Sequence, residues 1–435
     1  MFNKPKLSFW QIWNMNVGFF GIQYSFGLQQ SAVNPIYDFL GASPDQIPLL
    51  NLAGPVTGLL IQPLIGALSD KTWHPKWGRR KPYFLIGALL CSFALLLFPF
   101  SSSLWMAAGL LWILDAGNNT AMEPYRAFIA DKLDDKQMPL GFQMQSFFTG
   151  FGQTLANLSL FIFPMIFIGK TGSLPTWVYA SFFLGAVCSI GSIWWSMKTT
   201  KEIPPTTAEL EHLRSSKRGV FDPLIEILSA IGDMPKVMWQ LALVYLFQWY
   251  ALFCYWQNSS KSIALSVWNA TPKSNPAAYE EAVGWTGLVN GWYNIVTFLT
   301  AFALVGFAKK FGPKYVHAFC LLLAASGFLV FPHIQDKNLL FFAITGFGIG
   351  WASMMGIPYL MVVSQIPKER YGVYMGIINM MIVIPMIIQN VTFGYILKHF
   401  LNNDSRLAIT FAGVLLMISA ICTLFIKTEN KKLSE

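Results

Sequence analysis

Twelve times along the chain, a run of twenty or more residues stays largely apolar between charged or turn-rich breaks: 9–31, 47–69, 82–101, 104–130, 141–168, 174–197, 236–258, 284–308, 314–333, 338–363, 371–398 and 405–426. About 20 such residues are needed for a helix to cross a hydrocarbon core roughly 30 Å thick. Inside that core, backbone polar groups are satisfied only within helices or closed barrels. Segments this long read as helices, so the expected fold is an all-α integral membrane protein with twelve transmembrane helices. Composition points the same way: 54% of the residues are hydrophobic and 12% charged, about half the charged share of a soluble domain.

The net charge of +9 could be taken as a nucleic-acid footprint, but the placement of the bases argues for topology instead. If the N-terminus is cytoplasmic and the spans alternate, 23 of the 30 Lys and Arg fall in inner segments, six in outer segments, and Arg126 within a span. That is the positive-inside pattern. It places both termini on the cytoplasmic side of a cell membrane and excludes nucleic acid as the partner. The five cysteines all lie in spans with no CxxC or metal-ligand spacing. No metal or cofactor is called for. Nucleotide-binding loops, nucleophile elbows and zinc-protease motifs are likewise missing from the sequence, so enzymatic chemistry has no motif support.

The longest inner segment, 198–235, divides six spans from six, giving an N-terminal half over 1–197, a cytoplasmic linker over 198–235 and a C-terminal half over 236–435. Parallel six-helix repeats joined in this way hold substrate near the midplane in known carriers. A weak internal repeat agrees with this. Pro124-Tyr125 of the fourth span matches Pro358-Tyr359 of the tenth, and each is followed by a short charged turn, DKLDDKQ or IPKER.

The fourth span carries three ionisable residues, Asp115, Glu123 and Arg126, each costing roughly 2.5–3.5 kcal/mol to place at a bilayer centre. At about 100° per residue they share one helix face with Asn119. Asp115 lies roughly 16 Å from the outer end of its span, near mid-membrane, where a carboxyl that gains and loses a proton could couple transport to protons. Glu123 and Arg126 are spaced i, i+3, which suits an ion pair. Whether Glu123 titrates or only neutralises Arg126 stays open, and Arg126 could equally pair with Asp131.

Between the second and third spans, Gly66, Asp70, Gly78, Arg79 and Arg80 form an acid–glycine–base loop that, together with Asp131, could bridge neighbouring helix ends as a cytoplasmic gate. Substrate contacts are sought among amides and aromatic rings: Gln23, Gln62, Asn119, Gln145, Trp249 and Asn258. Amides both donate and accept, as sugar hydroxyls require, and aromatic faces suit the C–H faces of a pyranose. The same residue types also serve as interhelical glue and interfacial belts.

Three stretches carry a family resemblance: Gly21-Ile-Gln23-Tyr24 with Leu28-Gln29-Gln30-Ser31 and Pro35; Gln62-Pro63 running through Gly66 and Ser69-Asp70 to Gly78-Arg79-Arg80-Lys81-Pro82; and Leu114-Asp115-Ala-Gly-Asn118-Asn119-Thr120 with Pro124, Arg126-Ala127 and Ala130-Asp131. They resemble the sucrose transporters of plants and their bacterial and animal relatives, in the glycoside-pentoside-hexuronide branch of the major facilitator superfamily. The resemblance implies the major facilitator fold and proton symport of a disaccharide or glucoside such as sucrose or maltose, with Asp115 as the proton-carrying acid and Arg126 as a charge needed for transport. Met122-Glu123 departs from the plant pattern at that point. The expected partners are a small sugar, protons and the lipid bilayer, and the expected state is a monomer. Two other readings stand beside this one: a facilitator or exporter of small hydrophobic compounds, and a non-transporting membrane sensor.

Overall fold

The computed structural model describes residues 4–134, 137–172, 174–204, 211, 219, 221–362 and 371–427. The IPKER turn, most of the polar part of the linker and the side chain of Asp70 lie outside the described residues. Among those described, fourteen α-helices form: α1 Phe9–Phe39, α2 Ile47–Leu50, α3 Ala53–Lys71, α4 Lys81–Leu97, α5 Leu104–Lys132, α6 Met138–Ile166, α7 Thr176–Thr199, α8 Asp222–Ala230, α9 Lys236–Val267, α10 Pro276–Phe311, α11 Pro313–Val330, α12 Leu340–Val362, α13 Tyr371–Phe400 and α14 Ser405–Leu424. A two-residue hairpin pairs β1 Lys170–Thr171 with β2 Leu174–Pro175, antiparallel, between α6 and α7.

All of these helices except α2 and α8 have at least 17 residues and coincide with the twelve apolar runs. Their starts carry local signals. Ser103 caps α5 by accepting from the Met106 N–H, Asn275 caps α10 ahead of Pro276, and Asp404 caps α14. Among the described residues, eight helices are long and apolar enough to cross a membrane by length and composition. The four long helices outside that group, α1, α5, α6 and α10, carry most of the amides and acids singled out above. Large apolar side chains stand on the surface, including Phe342 at 86% exposure, Ile168 at 84% and Trp105 at 78%. A soluble protein would bury such side chains, and here they are what a multi-pass membrane protein offers to lipid.

The chain divides into two compact units. The first comprises Met1–Gln29, Val56–Ser159 and Met165–Ile225; the second comprises Gln30–Pro55, Leu160–Pro164 and Glu226–Glu435. Lipid is as apolar as leucine, so close backbone approach and hydrogen bonding, rather than apolar burial, must hold the helices of each unit together. In the first unit α4 and α5 touch through glycine: a Cβ on Gly87 would stand 2.6 Å from the Gly117 carbonyl oxygen. The buried core there gathers Ile12, Phe19, Phe84, Tyr125, Phe128 and Ile193 from α1, α4, α5 and α7. At its centre the Tyr125 hydroxyl lies 2.5 Å from the Met15 carbonyl oxygen and 3.0 Å from Ser196 Oγ. In the second unit Gly327 of α11 packs directly on the Ala343 carbonyl of α12, where no larger residue would fit.

Candidate transport site

In the first unit α5 places Asp115 fully buried, at 0% exposure. Gln29 of α1 donates from Nε2 to Asp115 Oδ1 at 2.8 Å. Among the described residues no cation lies within ion-pair distance of this carboxyl. One turn further along, the Asn119 amide donates to Thr57 Oγ1 of α3 at 3.0 Å and to the Asp115 main-chain oxygen at 2.9 Å. Its own Oδ1 accepts from Gln62 Nε2 at 2.6 Å. Gln23 accepts from Gln153 Nε2 of α6 at 2.9 Å. Asp115, Asn119 and Gln62, chosen from the sequence, therefore share one polar cluster with Gln29 and Thr57, and Gln23 forms a separate amide pair. Gln145 is buried and donates to the Tyr125 carbonyl across a long 3.5 Å.

Glu123 and Arg126 form the i, i+3 pair, but loosely: 3.9 Å apart, with their side chains 38% and 48% exposed. A pair of that kind stabilises little. Gly66 lies against Glu123, whose Cγ would stand 3.6 Å from an added Cβ.

The loop between α3 and α4 is tied to neighbouring helix ends inside the first unit. Arg80, 4% exposed, donates from Nε to Asp131 Oδ2 at 2.8 Å and from Nη1 to Ser69 Oγ at 2.6 Å. Glu202, which follows α7, stands in no motif of the sequence. Its carboxylate accepts from the backbone N–H groups of Arg79 at 2.7 Å, Arg80 at 2.9 Å and Lys81 at 3.0 Å. These are the orphan donors at the start of α4, where the helix dipole favours a negative charge. Gly78 makes room for it: its φ is +76°, and a Cβ there would collide with the Glu202 carboxyl.

The second unit holds a cluster of rings and amides. Trp249 packs edge-on against Trp351, with centroids 5.7 Å apart, and Trp351 in turn meets Trp256 at 5.5 Å. Gln389 donates to Gln257 Oε1 at 2.9 Å, and Gln257 donates to Asn390 Oδ1 at 2.7 Å. Gln248 is fully buried with neither end of its amide bonded among the described residues. Asn258 is occupied structurally: it donates to the Cys254 carbonyl at 2.9 Å and accepts from Ser405 Oγ at 3.0 Å.

A buried ion pair in this unit was also missed. Asp38 of α1 meets Lys261 Nζ of α9 at 2.5 Å, with side-chain exposures of 2% and 11%, and accepts from the Tyr279 hydroxyl of α10 at 2.5 Å. Ser31, Asn34 and Asp38 form an i, i+3, i+7 stripe on α1. Asn290 donates to Ser31 Oγ at 3.2 Å, and Asn34 donates to the Trp256 carbonyl at 3.3 Å. The apolar runs stop at 31 and 258 because Asn34, Asp38 and Lys261 look like span ends. The helices continue because these polar groups satisfy one another. An acid and a base, each a few residues past a counted span, were the available signal.

Comparison with known proteins places this geometry. The family described as Major Facilitator Superfamily matches residues 15–389, with a second match over 263–435. Sucrose transport protein SUT5 of Oryza sativa subsp. indica is 23% identical, the alignment covering 93% of this chain and 85% of that protein. Sucrose transport protein SUC4 of Arabidopsis thaliana is also 23% identical, over 86% of this chain and 81% of its own length. Among solved structures, the nucleoside transporter NupG superposes with a TM-score of 0.72 at 12% identity, covering 97% of this chain and 100% of that one. The xylose transporter XylE from E. coli superposes with a TM-score of 0.64 at 14% identity, covering 96% and 99%.

Proposed function

Because the chain belongs to the Major Facilitator Superfamily, we propose that it is a secondary carrier that moves a sugar together with a proton. The sugar class is a disaccharide or glucoside such as sucrose or maltose, in keeping with the names of its plant relatives. The observation that carries the proton half of the reading is Asp115, a carboxyl buried in a spanning helix, held by an amide and with no cation paired to it among the described residues. An ionisable group so placed is costly and serves function by default.

In this cycle protonated Asp115 favours sugar binding on one side of the membrane, and release of sugar and proton on the other side resets the carrier. Coupling follows when only the doubly loaded and empty forms interchange readily. Gln62 and Asn119 supply amide contacts for the sugar, and Arg126 supplies the charge next to the proton path. The carrier works as a monomer in a cell membrane with both termini on the cytoplasmic side, as the placement of the basic residues supports.

The test is uptake of radiolabelled sucrose and maltose into proteoliposomes with and without an inward proton gradient. Accumulation above equilibrium in the native protein, lost in Asp115→Asn, supports the reading. Equilibration that ignores the gradient in both proteins leaves a facilitator and refutes coupling, and no flux of either sugar refutes the substrate class.

A further inference from the structure

We infer that Gln29 is the positioning residue of the proton site, and that by holding Asp115 Oδ1 it leaves Oδ2 as the oxygen that takes and releases the proton. The inference rests on the reading of Asp115 as the proton carrier.

The neighbouring amides do not serve the carboxylate. Asn119 spends its donors on Thr57 and on the Asp115 main-chain oxygen, and Asn118 donates to Ser25 Oγ at 3.0 Å. Gln62 donates to Asn119. Cys91, the neighbouring thiol on α4, is turned to Asn118 Oδ1 at 3.0 Å and to the Leu114 carbonyl. Among the described residues, Gln29 is thus the one side chain hydrogen-bonded to the Asp115 carboxyl. Asp115 Oδ2 and Gln29 Oε1 are both buried without a hydrogen-bond partner among the described residues.

The chemistry of an amide donor explains why this arrangement suits a proton carrier. An amide N–H does not give up its proton, so it can only donate. It donates to Oδ1 when the carboxyl is ionised, and to the same oxygen, then a carbonyl, when the proton sits on Oδ2. The geometry is kept through both states. A paired lysine or arginine would instead pin the carboxylate in its charged form, and a carboxylate with no donor would bear its full desolvation penalty. A neutral donor on one oxygen lets the charged form exist in the membrane without locking it in place.

The experiment compares native protein, Asp115→Asn and Gln29→Met in proteoliposomes. It measures proton-driven sucrose accumulation, sucrose exchange at equal pH, and the infrared C=O stretch of protonated Asp115. Methionine keeps the length of the side chain and removes the donor. The expected result is that Gln29→Met lowers accumulation at least about tenfold more than exchange, the equivalent of one hydrogen bond to an ionised group. The Asp115 band, assigned by its loss in Asp115→Asn, moves to higher wavenumber. If Gln29→Met loses exchange as well, the band decides: a shift to higher wavenumber supports the inference, and an unmoved band overturns it. Gln29→Met that accumulates like the native protein, or leaves the band unmoved, overturns the role of Gln29 while the Asp115 reading stands. Native accumulation that Asp115→Asn does not reduce overturns both.

Discussion

Replacing Lys261 with methionine removes one partner of a buried ion pair and leaves the Asp38 carboxylate, at 2% exposure, with the Tyr279 hydroxyl as its hydrogen-bond donor. Breaking a buried pair from one side costs about 3–5 kcal/mol, because the stranded charge keeps its desolvation penalty. Tyr279 still donates, which puts the expected cost at the lower end, about 3 kcal/mol. In a unit of this size that corresponds to a fall of roughly 6–12 °C in unfolding temperature. Neutralising both partners, in Asp38→Asn with Lys261→Met, removes the charge and its penalty together. The double variant should therefore recover most of the loss and can match the native protein, since a buried pair adds little net stability over neutral groups that pack as well. Thermal unfolding of the purified protein in detergent, read as a double-mutant cycle, measures both quantities. A single variant within about 1 kcal/mol of native, or a double variant no more stable than the single, would refute the argument that these charges are buried and mutually compensated.

Other variants probe the remaining contacts. Gly78→Ala forces a Cβ against Glu202 at a φ of +76° and should cost upward of about 1 kcal/mol; a thermal shift under 1 °C would contradict it. Glu202→Ala strips the acceptor from three backbone N–H groups at the start of α4 and should cost about 1–2 kcal/mol, measured the same way. Arg80→Lys gives up the two-pronged contact to Asp131 and Ser69 and should lower stability by about 1 kcal/mol although the charge is kept; equal stability would show that charge alone matters there. Trp249→Ala removes a ring from the Trp351 cluster and should raise the KM for sugar roughly three- to tenfold, whereas Trp249→Phe should stay near native. An unchanged KM in Trp249→Ala would take that ring out of the binding site.

The twelve spans were legible in the sequence because a bilayer demands length and apolarity, and both are visible residue by residue. What misled the counting was polarity at helix ends. Residues 32–39 of α1, 259–267 of α9 and 276–283 of α10 belong to their helices, yet Asn34, Asp38 and Lys261 resemble loop residues until their partners are known. The polar face of α5 was likewise visible, since Asp115 and Asn119 recur at helical spacing. The partner of Asp115 was not, because α1 offers seven amides and only tertiary packing selects Gln29 among them. Glu202 was hidden for a different reason. A glutamate following a helix is ordinary in sequence, and its role depends on the glycine-lined turn that α4 brings to it.

The most direct test of a proton-coupled sugar carrier is proton entry driven by sugar alone. Proteoliposomes containing a pH-sensitive dye, with equal pH on both sides and no membrane potential, receive an inward sucrose gradient. The account predicts acidification of the interior by the native protein, none with Asp115→Asn, and none with a non-transported sugar. Sucrose entry without acidification, or acidification that survives Asp115→Asn, would contradict it.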